Sequence, residues 1–76
     1  MYVLEIETNY ETKKIQNPKE ARIVDKIFSD TLQVMDESGI WHTICNRIIS
    51  KAVQEDVIRN IDNAIAAKKE LVYLDI

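Results

Sequence analysis

The stretch TLQVMDESGIWHTI, residues 31–44, decides the fold of this chain. Side chains alternate in character over residues 31–35 and again over 40–44, which is typical of two strands that each bury one face. The residues between them end in Gly39, the only glycine of the chain. Because glycine has no Cβ, it suits the left-handed position that closes such a turn. The stretch therefore predicts a β-hairpin.

Two further strands are predicted near the N-terminus. Residues 2–8 alternate cleanly, with Glu5 and Glu7 on the outer face, which predicts a half-buried antiparallel strand. A turn over residues 9–11 leads to a short second strand over 12–16. We interpret Glu5 and Glu7 as solvated carboxylates that discourage edge pairing.

The segment 18–29 admits two interpretations. An Asn-Pro pair at 17–18, with Glu20 following, is typical of a helix start. Residues 22–28, however, are rich in β-branched and aromatic side chains, and 29–30 would form a tight turn into the next strand. We favour a strand because a continuous meander needs only short connections. A helix is the alternative.

Two segments after the hairpin are also open. Residues 47–53 include Ile48 and Ile49, which favour a strand that continues the meander. Residues 71–76 are apolar and β-prone, and we expect a final strand that returns to the sheet. A continued helix is the alternative for 71–76.

A helix is predicted over residues 55–69. Glu55 and Asp56 would lie in its first turn, and Lys68 and Lys69 in its last, where the helix dipole favours those charges. Apolar side chains recur at helical spacing. They are Val57, Ile58, Ile61, Ala64 and Ile65.

Together these elements predict one α+β domain over residues 1–76. It would be an antiparallel β-meander or a small, partly open barrel of five to six strands, with one C-terminal amphipathic helix and a short final strand. The strand spacing of residues 21–44 resembles the central sheet of small SH3-like and Sm-like barrels, and of short phage and prophage proteins built on that plan. The helix here follows the strands, whereas the Sm helix precedes them. The resemblance implies a phage-type inhibitor or modulator of a host or counter-defence target.

Composition sets the class of protein. With 46% hydrophobic and 30% charged residues, the chain is globular rather than disordered. The single cysteine excludes an internal disulfide, and no apolar run approaches the roughly 18 residues of a membrane span. We therefore expect a cytoplasmic protein without membrane contact. The net charge of −3 is dispersed, which argues against binding driven by phosphate neutralisation.

No catalytic or cofactor-binding constellation is visible. His42 and Cys45 are the only imidazole and thiol, and three-residue spacing on a regular strand would direct them to opposite faces. One glycine cannot build a phosphate-binding loop, and paired zinc ligands are missing. We therefore expect no enzymatic activity, no cofactor and no metal.

Trp41 is the most informative aromatic residue. If the even-numbered residues of 40–44 face the core, Trp41, Thr43 and Cys45 face outward. Met35, on the neighbouring strand, would lie beside the indole. An exposed Trp–Met patch is typical of a partner surface, so we expect a non-catalytic module that binds another protein and forms a homo-oligomer.

The alternative function is binding of a nucleotide or a single-stranded nucleic acid. Lys13 and Lys14 begin a locally basic stretch that continues to Lys26. If that stretch lies beside Tyr10 and Trp41, bases could stack on the aromatic rings while lysines hold phosphates. Tyr10, Lys13 and Lys14 are therefore candidate partner-binding residues as well.

Overall fold

The computed structural model describes all 76 residues and confirms the α+β class, with six strands and one helix. The elements are β1 (Val3–Glu7), β2 (Thr12–Gln16), β3 (Glu20–Asp25), β4 (Asp30–Met35), β5 (Trp41–Arg47), α1 (Lys51–Ala66) and β6 (Leu71–Tyr73). The strands form two three-stranded sheets: the first sheet has the order β2-β1-β6, and the second sheet has the order β3-β4-β5. The single helix is neither long nor apolar enough to cross a membrane.

Hydrogen bonds link β2 to β5 and to the turn before β5, and the two sheets do not close into a barrel. The Lys13 ammonium donates to the carbonyl of Thr43 at 2.6 Å, and the Glu37 amide donates to the carbonyl of Gln16 at 3.2 Å. Helix α1 packs against β3 and β6. The second sheet is an antiparallel meander, whereas β6 runs parallel to β1 in the first sheet. The continuous meander predicted from the sequence is thus divided into two sheets.

The division occurs at Asn17, which does not cap a helix. Its φ is +43°, a left-handed conformation that asparagine tolerates better than most residues. Its side-chain oxygen accepts a hydrogen bond from the Tyr2 amide at 3.1 Å, so it ties the end of β2 to the start of the chain. The preferred prediction of a strand within 18–29 is confirmed by β3. The turn after it lies at residues 26–29 rather than 29–30, with the Lys26 amide bonded to the Ser29 carbonyl at 2.9 Å.

The predicted hairpin is confirmed by β4, β5 and the turn between them. Gly39 has φ +82°, as the turn requires. The Asp36 side chain accepts hydrogen bonds from the amides of Ser38 at 2.8 Å and Ile40 at 3.1 Å. The turn is therefore stabilised by local chemistry that is visible in the sequence.

We expect Gly39→Ala to lower the free energy of unfolding by about 1 kcal/mol, the cost of holding an L-residue in a left-handed conformation. A Cβ at this position meets no atom within 4 Å, so the effect is conformational rather than steric. Ser38→Ala, in the same turn, is the matched control, since its side chain makes no hydrogen bond in the structure. Urea denaturation measures both, and equal midpoints for Gly39→Ala and the wild type would contradict the prediction.

The helix begins one turn earlier than predicted. Strand β5 ends at Arg47, so the expected strand over 47–53 is wrong. The Ile49 amide is held by the Asp30 carboxylate at 2.9 Å, and the Ser50 hydroxyl accepts from the Val53 amide at 3.4 Å. A tertiary contact from Asp30 and a local cap at Ser50 together start the helix at Lys51.

The helix also ends earlier than predicted, at Ala66. Lys68 has φ +53°; its amide donates to the Ile65 carbonyl at 3.2 Å, and the Lys69 amide donates to the Ala64 carbonyl at 2.9 Å. This pattern is a Schellman motif with lysine in the left-handed position usually held by glycine. The predicted match of charges to the helix dipole is therefore wrong, because the first turn holds no acidic residue and the last no basic one.

The core lies between the two sheets and α1. The apolar helix stripe is confirmed, with Val57, Ile61 and Ala64 buried. At the C-terminus only Leu71–Tyr73 forms a strand, and the next residue, Leu74, is 1% exposed. The twelve buried side chains of the core are Leu4, Ile6, Ile15, Leu32, Val34, Ile44, Cys45, Ile49, Val57, Ile61, Ala64 and Leu74.

Candidate protein-binding surface

The outer face of the second sheet carries an ordered group of side chains, which we call the Trp41 surface. The strand register places Arg22, Gln33 and Thr43 in one row across the sheet, and Met35 beside Trp41 in the next. None of the five belongs to the buried core. Met35, the expected neighbour of Trp41, is thus adjacent to it in the structure.

Arg22 and Trp41 form the centre of this surface. The guanidinium carbon of Arg22 lies 3.9 Å from the centroid of the indole ring, which is cation–π geometry. The Nε of Arg22 donates to the side-chain oxygen of Gln33 at 2.9 Å, and the amide nitrogen of Gln33 donates to the Thr43 hydroxyl at 3.3 Å. Stacking and hydrogen bonding therefore fix the orientation of the Arg22 guanidinium while its terminal nitrogens remain without protein partners.

Trp41 faces outward as expected, but it is half-buried rather than fully exposed. The alternation predicted along β5 fails at a bulge: Cys45 pairs with Leu32 and Thr43 with Gln33, which leaves Ile44 as the extra residue. Cys45 is consequently buried, not outward-facing as predicted. The expectation that Ile40 faces the core is also wrong, since it is 57% exposed.

The same bulge corrects the predicted separation of His42 from Cys45. His42 pairs with Val34, and Cys45 pairs with Leu32. Because Leu32 and Val34 are alternate residues of β4 and share a face, His42 and Cys45 lie on the same face of the sheet. Burial raises the pKa of the Cys45 thiol, so little thiolate is available as a nucleophile. The Nε2 of His42 is 2.7 Å from a carboxylate oxygen of Asp36, its hydrogen-bond partner in the structure.

The Asp36–His42 contact predicts that the stability of the fold depends on pH in the acid range. The hydrogen bond from His42, helped by the Ile40 and Ser38 amides, holds the pKa of Asp36 below its usual range. A carboxyl whose pKa is lower in the folded state stabilises the fold above its unfolded pKa of about 3.9, and this contribution is lost as the pH falls. We expect the stability difference between the wild type and Asp36→Asn to shrink between about pH 5 and about pH 2.

Urea unfolding of the two proteins at a series of pH values measures this difference. Glu37→Gln is the matched control, because it removes a carboxylate from the same turn. A difference between the wild type and Asp36→Asn that stays constant across the acid range would contradict the role assigned to the carboxylate.

The two neighbouring lysines of β2 lie in different places. Lys13 lies at the junction of the sheets, where its ammonium is bonded to the Thr43 carbonyl next to the Trp41 surface. Lys14 lies on the first sheet, opposite Glu5. Since side chains alternate along a strand, the pair does not form one basic patch.

Tyr10 also lies apart from the Trp41 surface. The guanidinium of Arg47 lies 4.4 Å from the centroid of the Tyr10 ring. Both residues line a cleft of about 310 Å³ between the end of β5 and the start of α1, together with Ile48 and Val53. The structure thus brings together the residues of the Trp41 surface, with Lys13 at their border, and it places Tyr10 and Lys14 elsewhere.

Sequence reasoning missed Arg22 and Gln33 as members of the surface. Arg22 falls within the basic stretch that continues to Lys26, and Gln33 carries no chemical signal on its own. Strand alternation could have placed both on an outer face. Their contact with Trp41 depends on the register between β3, β4 and β5, which a single sequence does not reveal.

Comparison of the chain with protein-family models, with curated proteins and with solved structures finds no match.

Proposed function

We propose that this chain is a non-catalytic protein-binding module that holds its partner on the Trp41 surface. The observation that supports the proposal is the stacking of Arg22 on Trp41 at 3.9 Å, on a sheet face outside the core. Tryptophan and arginine are the residue types most enriched among the binding hot spots of protein interfaces.

The geometry suggests the chemistry of the partner. Because Arg22 is already oriented by Trp41 and Gln33, it loses little conformational entropy on binding. Its free terminal nitrogens suit a carboxylate, to which guanidinium groups bind in a bidentate manner. Met35 and the indole add an adaptable apolar area beside it. The partner we propose therefore offers an acidic side chain next to an apolar contact.

The resemblance of the strand pattern to phage proteins favours a host protein as this partner, with the chain acting as its inhibitor or modulator. The positions of Tyr10 and Lys14 do not favour the alternative function, binding of a nucleotide or a single-stranded nucleic acid. That function would require Tyr10 and the basic stretch beside Trp41, whereas Tyr10 lies in the Arg47 cleft and Lys14 lies opposite Glu5.

The test begins with a photo-crosslinking residue at Thr43, which is exposed on the Trp41 surface. A chain carrying the crosslinker at Lys14, on the other sheet, is the matched control. The partner is sought in a lysate of the host, and a protein captured from Thr43 and not from Lys14 is purified and its affinity measured by calorimetry.

We expect Trp41→Ala to weaken that affinity about thirtyfold or more, the effect of removing an interface hot spot. Arg22→Ala should weaken it about tenfold. Tyr73→Ala, which alters an exposed aromatic on the first sheet, should leave the affinity unchanged. The proposal is wrong if Trp41→Ala binds as the wild type does, or if Thr43 and Lys14 capture the same proteins.

A further inference from the structure

A second surface, separate from the Trp41 surface, lies at the turn between β3 and β4. In this hairpin tip, residues 26–29, the side chain of Ile27 is 90% exposed and that of Phe28 is 87% exposed. Short hairpin loops favour glycine, asparagine and aspartate for conformational reasons, so turn formation does not explain two large apolar side chains here. Their exposure is typical of a contact site.

The same chain carries a recess of complementary character. The groove between β3 and α1 has a volume of about 650 Å³ and the apolar side chains Ile23 and Ile58 among its lining residues. Glu55 and Asp62 also line it without an ion pair, whereas Arg59, the one cation of the lining, is paired with Asp56 at 2.9 Å. The groove therefore combines apolar surface with unpaired negative charge.

Charge complementarity connects the hairpin tip with the groove. Lys26 precedes the two apolar residues of the tip and has no ion-pair partner in the structure. The neighbouring Asp25 is paired with Lys51 at 2.8 Å, which leaves Lys26 as the free charge of the tip. The exposed side chains of Ile27 and Phe28, with one lysine beside them, are therefore complementary in polarity and charge to a groove that has an apolar lining and unpaired carboxylates.

We propose that two copies of this chain associate by inserting the hairpin tip of each into the groove of the other. The tip continues from β3 and the groove lies between β3 and α1, so a dimer with a two-fold axis forms both tip-to-groove contacts at once. Phe28 and Ile27 then cover Ile23 and Ile58 of the second copy. Lys26 lies near its Glu55 and Asp62. The Trp41 surface takes no part.

Sedimentation over about a hundredfold range of concentration is expected to show a monomer–dimer equilibrium for the wild type. Phe28→Ser should weaken dimerisation about thirtyfold. Because Phe28 is exposed in the monomer, the variant should unfold at the same urea concentration as the wild type under dilute, monomeric conditions. Trp41→Ala should dimerise normally, which separates this contact from the proposed function.

Charge reversal gives the sharper test. Lys26→Glu, and separately the double change Glu55→Lys with Asp62→Lys, should each dimerise about tenfold more weakly than the wild type, because each places like charges at both contacts. An equal mixture of the two variants should recover dimerisation, since both contacts of the mixed dimer again pair opposite charges. Lys19→Glu, an equal charge change at the other end of β3, should dimerise as the wild type does.

Three outcomes would overturn the proposal. One is a wild type that stays monomeric at the highest concentration, and another is a Phe28→Ser variant that dimerises normally. The third is an equal mixture of the charge variants that associates no better than each alone, because any contact between other surfaces would not depend on pairing residue 26 with residues 55 and 62.

Discussion

Replacing Ile61 by alanine is expected to lower the free energy of unfolding by about 3 kcal/mol. Ile61 is 0% exposed and lies on the helix face that closes the core between the two sheets. The substitution removes buried methyl groups and leaves a cavity that the sheets cannot fill without losing their own contacts. A domain of this length has a total stability of roughly 4–11 kcal/mol, so the loss is a large share of it.

Urea denaturation followed by circular dichroism measures the change. Val53→Ala is the matched control, because it shortens an apolar side chain on the same helix that is 37% exposed. We expect a loss below about 1 kcal/mol for the control. Equal destabilisation by the two substitutions would show that α1 does not pack through Ile61.

Replacing Leu74 by aspartate is expected to have a still larger effect, above about 4 kcal/mol, and to leave much of the protein unfolded at neutral pH. Leu74 is 1% exposed, and its amide donates to the Glu7 carbonyl at 2.8 Å, so the side chain is held inside by the β1–β6 pairing. A carboxylate there would be buried among the apolar side chains of the core, none of which can neutralise it.

The neighbouring substitution Tyr73→Asp is the control. It introduces the same charge one residue earlier, at a side chain that is 52% exposed and opposite Glu7. We expect it to cost about 1 kcal/mol, from the proximity of like charges and the loss of a surface contact. The placement of the C-terminal segment would be contradicted if Leu74→Asp were as stable as Tyr73→Asp.

The local elements of this fold were predictable because their causes are local. Alternation over β1 and β4, the turn residues from Asp36 to Gly39, and the apolar stripe of α1 each depend on side chains within a few positions of one another. The preference for a strand at β3 over the helix-start pattern also follows from its β-branched residues.

Element boundaries were less predictable, because distant residues set several of them. The helix starts at Lys51 partly because Asp30 holds the Ile49 amide, and these residues are nineteen apart in the chain. The bulge in β5 depends on the register with β4, and it reverses the predicted direction of Cys45. A shift of one position changes the face of every residue beyond it.

The candidate surface could be predicted only in part, because it too depends on the register between strands. Trp41, Thr43 and Met35 could be grouped from a single hairpin, since one turn aligns the two strands that carry them. Arg22, which gives the surface its charge, comes from a third strand, whose register with the hairpin must be known before the contact with Trp41 can be recognised.

By itself, the sequence determined the α+β class, the central hairpin, the amphipathic helix and an outward-facing Trp41, because hydrophobic periodicity and turn chemistry act over short distances. Only the tertiary structure decided that the strands divide into two sheets and that Arg22 stacks on Trp41. It also decided that an apolar hairpin tip is exposed beside a groove with unpaired carboxylates. These features require segments far apart in the chain to meet in one register, and that register is set by the packing of the whole core.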